Sequence, residues 1–516
     1  MDETDLRILD LRAKRKQSKL GGGEKRIQSQ HSKGKLFARE RIELLLDPGT
    51  FYELEPFTVQ RNDHLGGSGN EMGDGVVTGF GQIDQRTVYV YAQDFTIQGG
   101  SLGEMQGKKI ARLMDLAANT GCPVIGMLDS GGARIQEGVY SLGAYAEIFR
   151  RNAIYSGVIP QISIILGPCA GGAVYSPAVT DIIIMVDKLS YMFLTGPQVI
   201  KSVTGEDVDF ESLGGAQVHL GTSGLAHLVG QNEKEAIQLA RAALSYLPSN
   251  NIENPPVLAT GDDPNRVNEE LNSLVPLDPN EPYSMHTAIE KIVDQGSFFE
   301  LQTTFAQNAI IGFARMDSMS VGIVSQEPSQ MAGVMDINSS DKIARFVRLC
   351  DAFNIPIITF IDSPGFLPGV NQEHNGVIRH GAKVLFAYAE STVPKISVTT
   401  RKAYGGAYVV LSSKFIGTDV TLAWPSAEIA VMGPDGAANI LYGRRIKEAA
   451  DPDAERERLT EEYKNSFLNP YAAARAGYVD DVIEPRDTRK RIILALYAIR
   501  NKSIQLPARK HGNIPL

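Results

Sequence analysis

The chain has 516 residues, of which 43% are hydrophobic and 22% charged, and its net charge is −9. That length suggests roughly two to five domains, and the composition excludes a disordered, collagen-like or disulfide-stapled protein. The apolar stretches are too short for a membrane span, the N-terminus lacks a secretory signal, and the acidic balance argues against nucleic acid as a partner. We therefore expect a cytoplasmic protein without direct membrane insertion. Its distinguishing feature is a count of 50 glycines.

The first feature along the chain is a basic segment. Between residues 7 and 41, twelve lysines and arginines surround a triple glycine at 21–23. Charge runs of this kind favour a solvated helical hairpin. Contact with a phosphate-bearing ligand or with a partner subunit is the alternative.

Alternating strands and helices follow. Short apolar runs that end near glycines are typical of buried parallel strands, and a 3.6-residue apolar spacing predicts the helices between them. This alternation predicts an α/β fold with a largely parallel sheet and right-handed crossovers. In chain order we predict a hairpin over 76–93, a helix over 104–120, a strand over 124–129, a helix over 140–156 and a strand over 161–166.

The same order repeats in the second half. Residues 109–112 (Lys-Ile-Ala-Arg) recur as 342–345, and Asp-Ser at 129–130 recurs at 362–363. An ordered series with nearly constant spacing indicates two copies of one domain of about 230 residues. A linker rich in Pro, Asn and Asp is predicted over 248–282. The second copy is predicted to contain strands over 320–325, 356–361 and 395–399, and helices over 340–353 and 376–391.

Glycine-rich turns follow two predicted strands in each copy. Ligands of parallel sheets bind beyond the carboxyl ends of the strands, and a Gly-Gly pair lets the backbone approach a ligand closely. Free N–H groups at a helix start there would favour an enolate or oxyanion. The alternative is that these glycines serve only tight turns and close packing. The four turns are 129–133, 167–173, 362–366 and 403–407.

Other catalytic patterns are incomplete. Residues 99–103 fit the nucleophile-elbow pattern, but Ser101 aligns with Val334 and no Asp/His pair completes a triad. Cys169 is predicted to be a small buried residue. The histidines show no metal-ligand spacing, so no metal is expected. Three carboxylates are candidate bases, although none is placed in a pair: Asp94, Glu137 and Glu373.

Long segments resemble the β subunit of biotin-dependent acyl-CoA carboxylases, most closely the propionyl-CoA carboxylase type. This resemblance implies two tandem crotonase-like domains related by internal duplication. Residues 1–258 would carry the acyl-CoA site and residues 259–516 the carboxybiotin site. The segments that carry the resemblance are 130–138, 167–177, 362–369, 401–408 and 509–516.

The resemblance also implies the chemistry, which is transfer of a carboxyl group from carboxybiotin to the α-carbon of propionyl-CoA, acetyl-CoA or butyryl-CoA. The amides of Gly171 and Gly172 would hold the thioester oxygen, and those of Gly406 and Ala407 the biotin ureido oxygen. Val409 occupies a position where propionyl-CoA enzymes often have Asp, which suggests a broader chain-length tolerance. Further residues expected around the bound molecules are Gly132, Ala133, Gly365, Phe366, Tyr404 and Val409.

The resemblance finally implies partners. Family members pair the N-terminal domain of one subunit with the C-terminal domain of another and assemble as hexamers. The sequence contains no Met-Lys-Met biotin-acceptor motif, so the biotin carboxyl carrier and biotin carboxylase are expected on other chains. No cysteine precedes Cys122, which disfavours the zinc-ribbon acetyl-CoA enzymes. The alternatives are the carboxyltransferase subunit of a methylmalonyl-CoA or glutaconyl-CoA decarboxylase, and a non-catalytic acyl-CoA-binding subunit.

Overall fold

The computed structural model describes residues 3–60 and 71–516. The chain divides into two compact units, Met1–Glu253 and Asn254–Leu516. The division falls inside the stretch 248–282, a few residues before position 258. The regular structure in that stretch is one short 3-10 turn, Glu269–Ser273.

An eight-stranded sheet forms the centre of the first unit. Its strands are β1 (Tyr52–Leu54), β2 (Val76–Ile83), β3 (Arg86–Gln93), β4 (Val124–Ser130), β5 (Gln161–Ala170), β6 (Ile182–Val186), β7 (Tyr191–Phe193) and β8 (Leu228–Gly230). Their order is β1-β2-β3-β4-β5-β6-β8, with β7 paired to the end of β5. The pairs β1–β2 and β2–β3 are antiparallel, and the others are parallel.

Helices flank this sheet, and α4 and α5 pack against each other beside the fully buried β4. The helices are α1 (Glu3–Ser18), α2 (Glu24–His31), α3 (Ala38–Leu45), α4 (Glu104–Thr120), α5 (Val139–Ile154), α6 (Tyr175–Ala178), α7 (Pro197–Thr204), α8 (Phe210–Gly214), α9 (Ala216–Gly221) and α10 (Glu233–Leu244). The predicted hairpin is confirmed, because Asp84 and Gln85 turn between β2 and β3 with φ of 50° and 65°. Two positive φ angles define a turn whose twist suits a two-residue hairpin.

The second unit repeats the first strand for strand. Its strands are β9 (Phe299–Leu301), β10 (Ala309–Met316), β11 (Met319–Gln326), β12 (Ile357–Ser363), β13 (Lys395–Tyr404), β14 (Val420–Ala423), β15 (Glu428–Ala430) and β16 (Asp481–Val482). Their order is β9-β10-β11-β12-β13-β14-β16, with β15 paired to the end of β13. The same topology in both units confirms the α/β fold and the internal duplication.

The helices of the second unit cover a separate core around Trp424 and Phe360. They are α11 (Met285–Ile292), α12 (Ile337–Ala352), α13 (Val370–His374), α14 (Val377–Glu390), α15 (Gly405–Val410), α16 (Pro434–Glu448), α17 (Pro452–Phe467), α18 (Pro470–Arg475) and α19 (Thr488–Ile499). Across the described ranges of the chain, no helix is both long and apolar enough to cross a membrane.

Two strands extend several residues beyond the bounds that the sequence predicts. β5 and β13 run to Ala170 and Tyr404, through residues that we expected in glycine-rich turns. The reason is that each strand changes partner: the first part of β5 pairs with β6, and Pro168–Ala170 pairs with β7. β13 divides its pairing between β14 and β15 in the same way. Apolar periodicity does not signal such a change of partner.

Candidate active site

In the first unit, two turns follow the carboxyl ends of neighbouring strands. β4 ends at Ser130, which pairs with Cys169 of β5 after a register shift. Gly132 follows with a φ of 103°, and a Cβ built on it would lie 3.0 Å from the Ala170 oxygen. Ala133 forms an isolated parallel bridge with Leu102. The turn after β4 and the turn after β5 therefore lie together, at the end of the sheet where the sequence places them.

The turn after β5 enters a short helical segment directly. Gly171 has a φ of 60°, and Gly171–Val174 forms a 3-10 turn that continues into α6. The Tyr145 ring of α5 lies over this turn, 3.4 Å from where a Cβ on Gly172 would be. The first N–H groups of a helical segment have no intrahelical acceptor. Gly171 and Gly172 consequently offer backbone donors at the carboxyl end of the sheet.

The second unit repeats these turns with different side chains. Gly365 follows β12 with a φ of 133°, and Gly405 follows β13 with a φ of 57°. The Phe366 ring lies over α15, 3.9 Å from where a Cβ on Gly406 would be. Ala407 is fully buried, whereas Val409 is 47% exposed on the same short helix.

Tyr404 is the last residue of β13. Its hydroxyl donates to Glu428 of β15, and burial together with the neighbouring carboxylate raises the pKa of the phenol. The ring lies 3.4 Å from where a Cβ on Gly433 would be. Tyr404 therefore ties β13 to β15 and to the start of α16, beside the Gly405–Gly406 turn.

The space around each glycine separates structural glycines from the rest. A Cβ on Gly107 or Gly100 would lie 2.5 Å or 2.1 Å from another atom, so packing requires glycine at both positions. Gly171 needs glycine for its positive φ. Gly172 and Gly406 have neither constraint: their φ angles are not positive, and a Cβ would be in ordinary contact distance. Turn geometry and packing both tolerate a side chain at these two positions, and glycine there leaves the backbone open to close approach by a ligand.

A buried carboxylate stands beside each pair of turns. Asp129 of β4 contacts Lys35 and Arg41 at 2.6 Å and 3.0 Å. Its counterpart Asp362 of β12 contacts Arg401 at 3.0 Å. Burial raises the pKa of Asp362, although Arg401 opposes the shift. Each carboxylate lies just before the first glycine-rich turn of its unit and is paired with a cation.

The other sequence candidates have structural partners. Asp94 is buried and accepts hydrogen bonds from Thr96, and burial raises its pKa. Glu137 is paired with Arg134 at 2.7 Å. Glu373 is exposed on α13. Asp94 and Glu137 are therefore held by neighbouring side chains, and Glu373 is exposed.

Neither candidate nucleophile is supported. The Ser101 hydroxyl donates to the Gln98 oxygen at 2.8 Å. Cys169 is fully buried, and burial raises the pKa of its thiol. Within residues 3–60 and 71–516, no cluster of three or more His, Cys, Asp or Glu side chains is arranged to hold a metal ion.

Sequence reasoning missed three residues at the first site: Tyr145, Lys35 and Arg41. Tyr145 had no signal beyond its place in an amphipathic helix. Lys35 and Arg41 lie in the basic segment, most of whose residues in α1 and α2 are exposed as a solvated hairpin predicts. These two side chains point into the protein because of its tertiary structure, and the run of charges in the sequence gives no sign of it.

Comparison with known proteins identifies the class. The sequence model of the carboxyl transferase domain matches residues 29–514. The chain therefore belongs to the carboxyl transferase family, which confirms the resemblance carried by its glycine-rich motifs.

Individual relatives narrow the class to acyl-CoA carboxyltransferases. The carboxyltransferase subunit of propionyl-CoA carboxylase from Haloferax mediterranei is 57% identical over 511 residues, covering 99% of each chain. Methylmalonyl-CoA decarboxylase subunit alpha from Propionigenium modestum is 55% identical over 511 residues, also with 99% of each chain covered. The transcarboxylase 12S crystal structure with methylmalonyl-CoA and methylmalonic acid bound is 50% identical, with a TM-score of 0.97, covering 100% of this chain and 99% of that one. The chain is an acyl-CoA carboxyltransferase subunit.

Proposed function

We propose that the chain transfers a carboxyl group from carboxybiotin, held on a separate carrier subunit, to the α-carbon of a short-chain acyl-CoA. Propionyl-CoA is the first candidate, and acetyl-CoA and butyryl-CoA are further candidates. The observation that carries the proposal is the pair Gly172 and Gly406, which keep glycine at equivalent positions where the fold tolerates a side chain. The relative from Haloferax mediterranei supports the substrate class.

The proposed roles divide between the two units. In the first, the N–H groups of Gly171 and Gly172 would hold the thioester oxygen as negative charge develops, because fixed donors stabilise such charge strongly. The turn at Gly132 and Ala133 would form the facing wall. Carboxybiotin supplies the one-carbon unit when its carrier is bound.

In the second unit, the N–H groups of Gly406 and Ala407 would hold the ureido oxygen. Gly365 and the Phe366 ring would form the facing wall, and Tyr404 would fix the strand end through Glu428. Val409 would line the acyl pocket, since its side chain is exposed beside the turn.

A complete site is proposed to need two copies of the chain. In the first unit, exposed apolar side chains lie on α5 and α7, including Val139 (71% exposed) and Val203 (77%). In the second, Ile378 (77%) and Ile440 (71%) lie on α14 and α16. Contiguous exposed apolar patches mark association surfaces, and we propose that these helices contribute to such a surface. The transcarboxylase 12S structure is described as a hexamer, and we propose the same assembly, with a biotin carrier as a further partner.

The direct experiment supplies a carboxylated biotin carrier with acetyl-, propionyl- and butyryl-CoA in turn. We expect a carboxylated acyl-CoA product, with propionyl-CoA giving the highest kcat/KM. Absence of product from all three substrates would contradict the proposal.

A second candidate runs the same chemistry in reverse, as the carboxyltransferase subunit of a decarboxylase. The 55% identity to methylmalonyl-CoA decarboxylase subunit alpha favours it. Copurification distinguishes the two: a biotin carboxylase partner supports carboxylation, and a membrane subunit with several spans supports decarboxylation.

A further inference from the structure

Four buried charged residues meet at the end of β4. Lys35 Nζ and Arg41 Nη1 lie 2.6 Å and 3.0 Å from the same oxygen, Oδ2 of Asp129. Arg41 also contacts Glu233 of α10, with Nη2 at 2.6 Å from Oε1 and Nε at 3.0 Å from Oε2. The side chains of Arg41, Asp129 and Glu233 are 1–2% exposed, and that of Lys35 is 8% exposed. We refer to these four residues as the clamp.

The clamp joins the two strands that carry the glycine turns. Arg41 Nη2 donates to the Leu166 oxygen of β5 at 3.1 Å, while its Nη1 holds Asp129 of β4. A Cβ on Gly167 would lie 2.1 Å from Asp129 Oδ1 and 2.5 Å from Lys35 Nζ. Lys35 can therefore reach the carboxylate only because position 167 has no side chain.

In the second copy, the corresponding carboxylate is paired with a cation from a different element. Asp362 is the counterpart of Asp129, and its cation is Arg401, 3.0 Å away. Arg401 lies on β13 at the position that corresponds to Gly167 on β5. The second unit thus supplies the cation from the strand itself. The first unit has Gly167 at that position, and its cations come from Lys35 and Arg41 of the basic N-terminal segment.

We propose that Lys35 and Arg41 are positioning residues for carboxyl transfer, acting through Asp129 to fix the spacing of the turns at Gly131–Gly132 and Gly171–Gly172. This inference rests on the proposed function, because it assumes that these turns hold the acyl thioester. A buried carboxylate that loses a cation is costly, so we expect the backbone around Asp129 to shift when Lys35 is removed. Oxyanion donors lose much of their effect when they are displaced by about 1 Å.

The test compares Lys35→Met with Lys33→Met, a nearby exposed lysine, in the carboxyl-transfer assay with the full-length protein. Lys35→Met leaves Arg41 paired with Asp129, so the fold is expected to persist. We expect kcat to fall at least about tenfold with the acyl-CoA KM within about threefold, because donors that act mainly in the transition state affect kcat. Lys33→Met should match the wild type in both parameters. If Lys35→Met does not fold, Lys35→Gln, which keeps an N–H donor, replaces it under the same criteria.

A double-mutant cycle tests whether the effect passes through the carboxylate. In an Asp129→Asn background, Lys35→Met should lower kcat by less than about twofold further, since coupled residues are not additive. Three results would overturn the inference: a Lys35→Met kcat within twofold of wild type, additive losses in the cycle, or a kcat loss explained by a matching loss of folded protein at the assay temperature. An inactive wild type would instead count against the proposed function, so the two failures are distinguishable.

Discussion

Glycine is needed at different positions of this chain for different physical reasons. Gly107 has no room for a Cβ because Ala144 of α5 packs against it. Gly171 and Gly405 adopt φ angles of 60° and 57°, which favour glycine. Gly172 and Gly406 have neither requirement, and this makes them the most informative residues to substitute.

Gly172→Ala and Gly406→Ala should each lower kcat by about 100-fold, because a methyl group would hold the substrate oxygen off the N–H donors. The melting temperature should stay the same or rise slightly, since Gly→Ala at a compatible position restricts the unfolded chain. Steady-state kinetics and thermal unfolding measure the two effects. Gly107→Ala is the contrasting variant and should lose stability. Full activity in both turn variants would contradict the assigned roles.

Val409 is the residue expected to influence acyl-chain preference. Val409→Asp places a charge where an apolar side chain is now 47% exposed. The ratios of kcat/KM among acetyl-, propionyl- and butyryl-CoA should shift, because one methylene in an apolar pocket is worth about 1–3 kcal/mol. Unchanged ratios would show that Val409 does not contact the acyl chain.

At the scale of elements, α11 is anchored to the second sheet by an ion triad. His286 contacts Glu300 of β9 at 3.1 Å and Glu327, the residue after β11, at 2.8 Å. Hydrogen bonds to Glu300 and Glu327 raise the pKa of His286 to about 10. The counterpart of α11 in the first unit is α3, whose Arg39 pairs with Glu53 of β1 at 2.7 Å. The two units therefore use different cations, His286 and Arg39, to attach corresponding helices.

The triad predicts a pH dependence of stability. A histidine whose pKa is raised on folding stabilises the native state fully below its unfolded pKa, and that contribution is lost as pH rises through the folded value. The difference in unfolding free energy between wild type and His286→Gln should be largest near pH 6 and decrease towards pH 10. Urea unfolding at several pH values measures it. A difference that grows with pH would contradict the assignment.

At the scale of the whole molecule, duplication has produced two units of the same topology with different linings at their turns. Tyr145 lies over Gly172 in the first unit, and Phe366 lies over Gly406 in the second. Such divergence suits two different substrates, and the proposed site joins unlike units from two copies of the chain.

Complementation between inactive variants tests this arrangement. If each site combines the first unit of one copy with the second unit of another, coexpressed Gly172→Ala and Gly406→Ala chains should recover up to about a quarter of wild-type activity through random pairing of subunits. Sites built within a single chain would give no recovery. The measurement is carboxyl-transfer activity of the coexpressed mixture, with each variant alone as its control.

The sequence by itself determined the α/β class, the duplication, most of the elements and the turns at Gly171 and Gly406. These features are written in apolar spacing, in repeated residues and in glycine pairs, which are local properties of the chain. The helix over 104–120 was predicted with its observed bounds because its apolar periodicity is strong.

Only the tertiary structure decided which glycines have room for a side chain, where β5 and β13 change partner, and that Lys35 and Arg41 are buried behind Asp129. Each of these depends on atoms far apart in sequence. A lysine in a charged run has the same local pattern whether it faces water or a carboxylate 94 positions away along the chain. Burial and pairing are therefore properties of the folded chain, and local sequence does not encode them in a readable form.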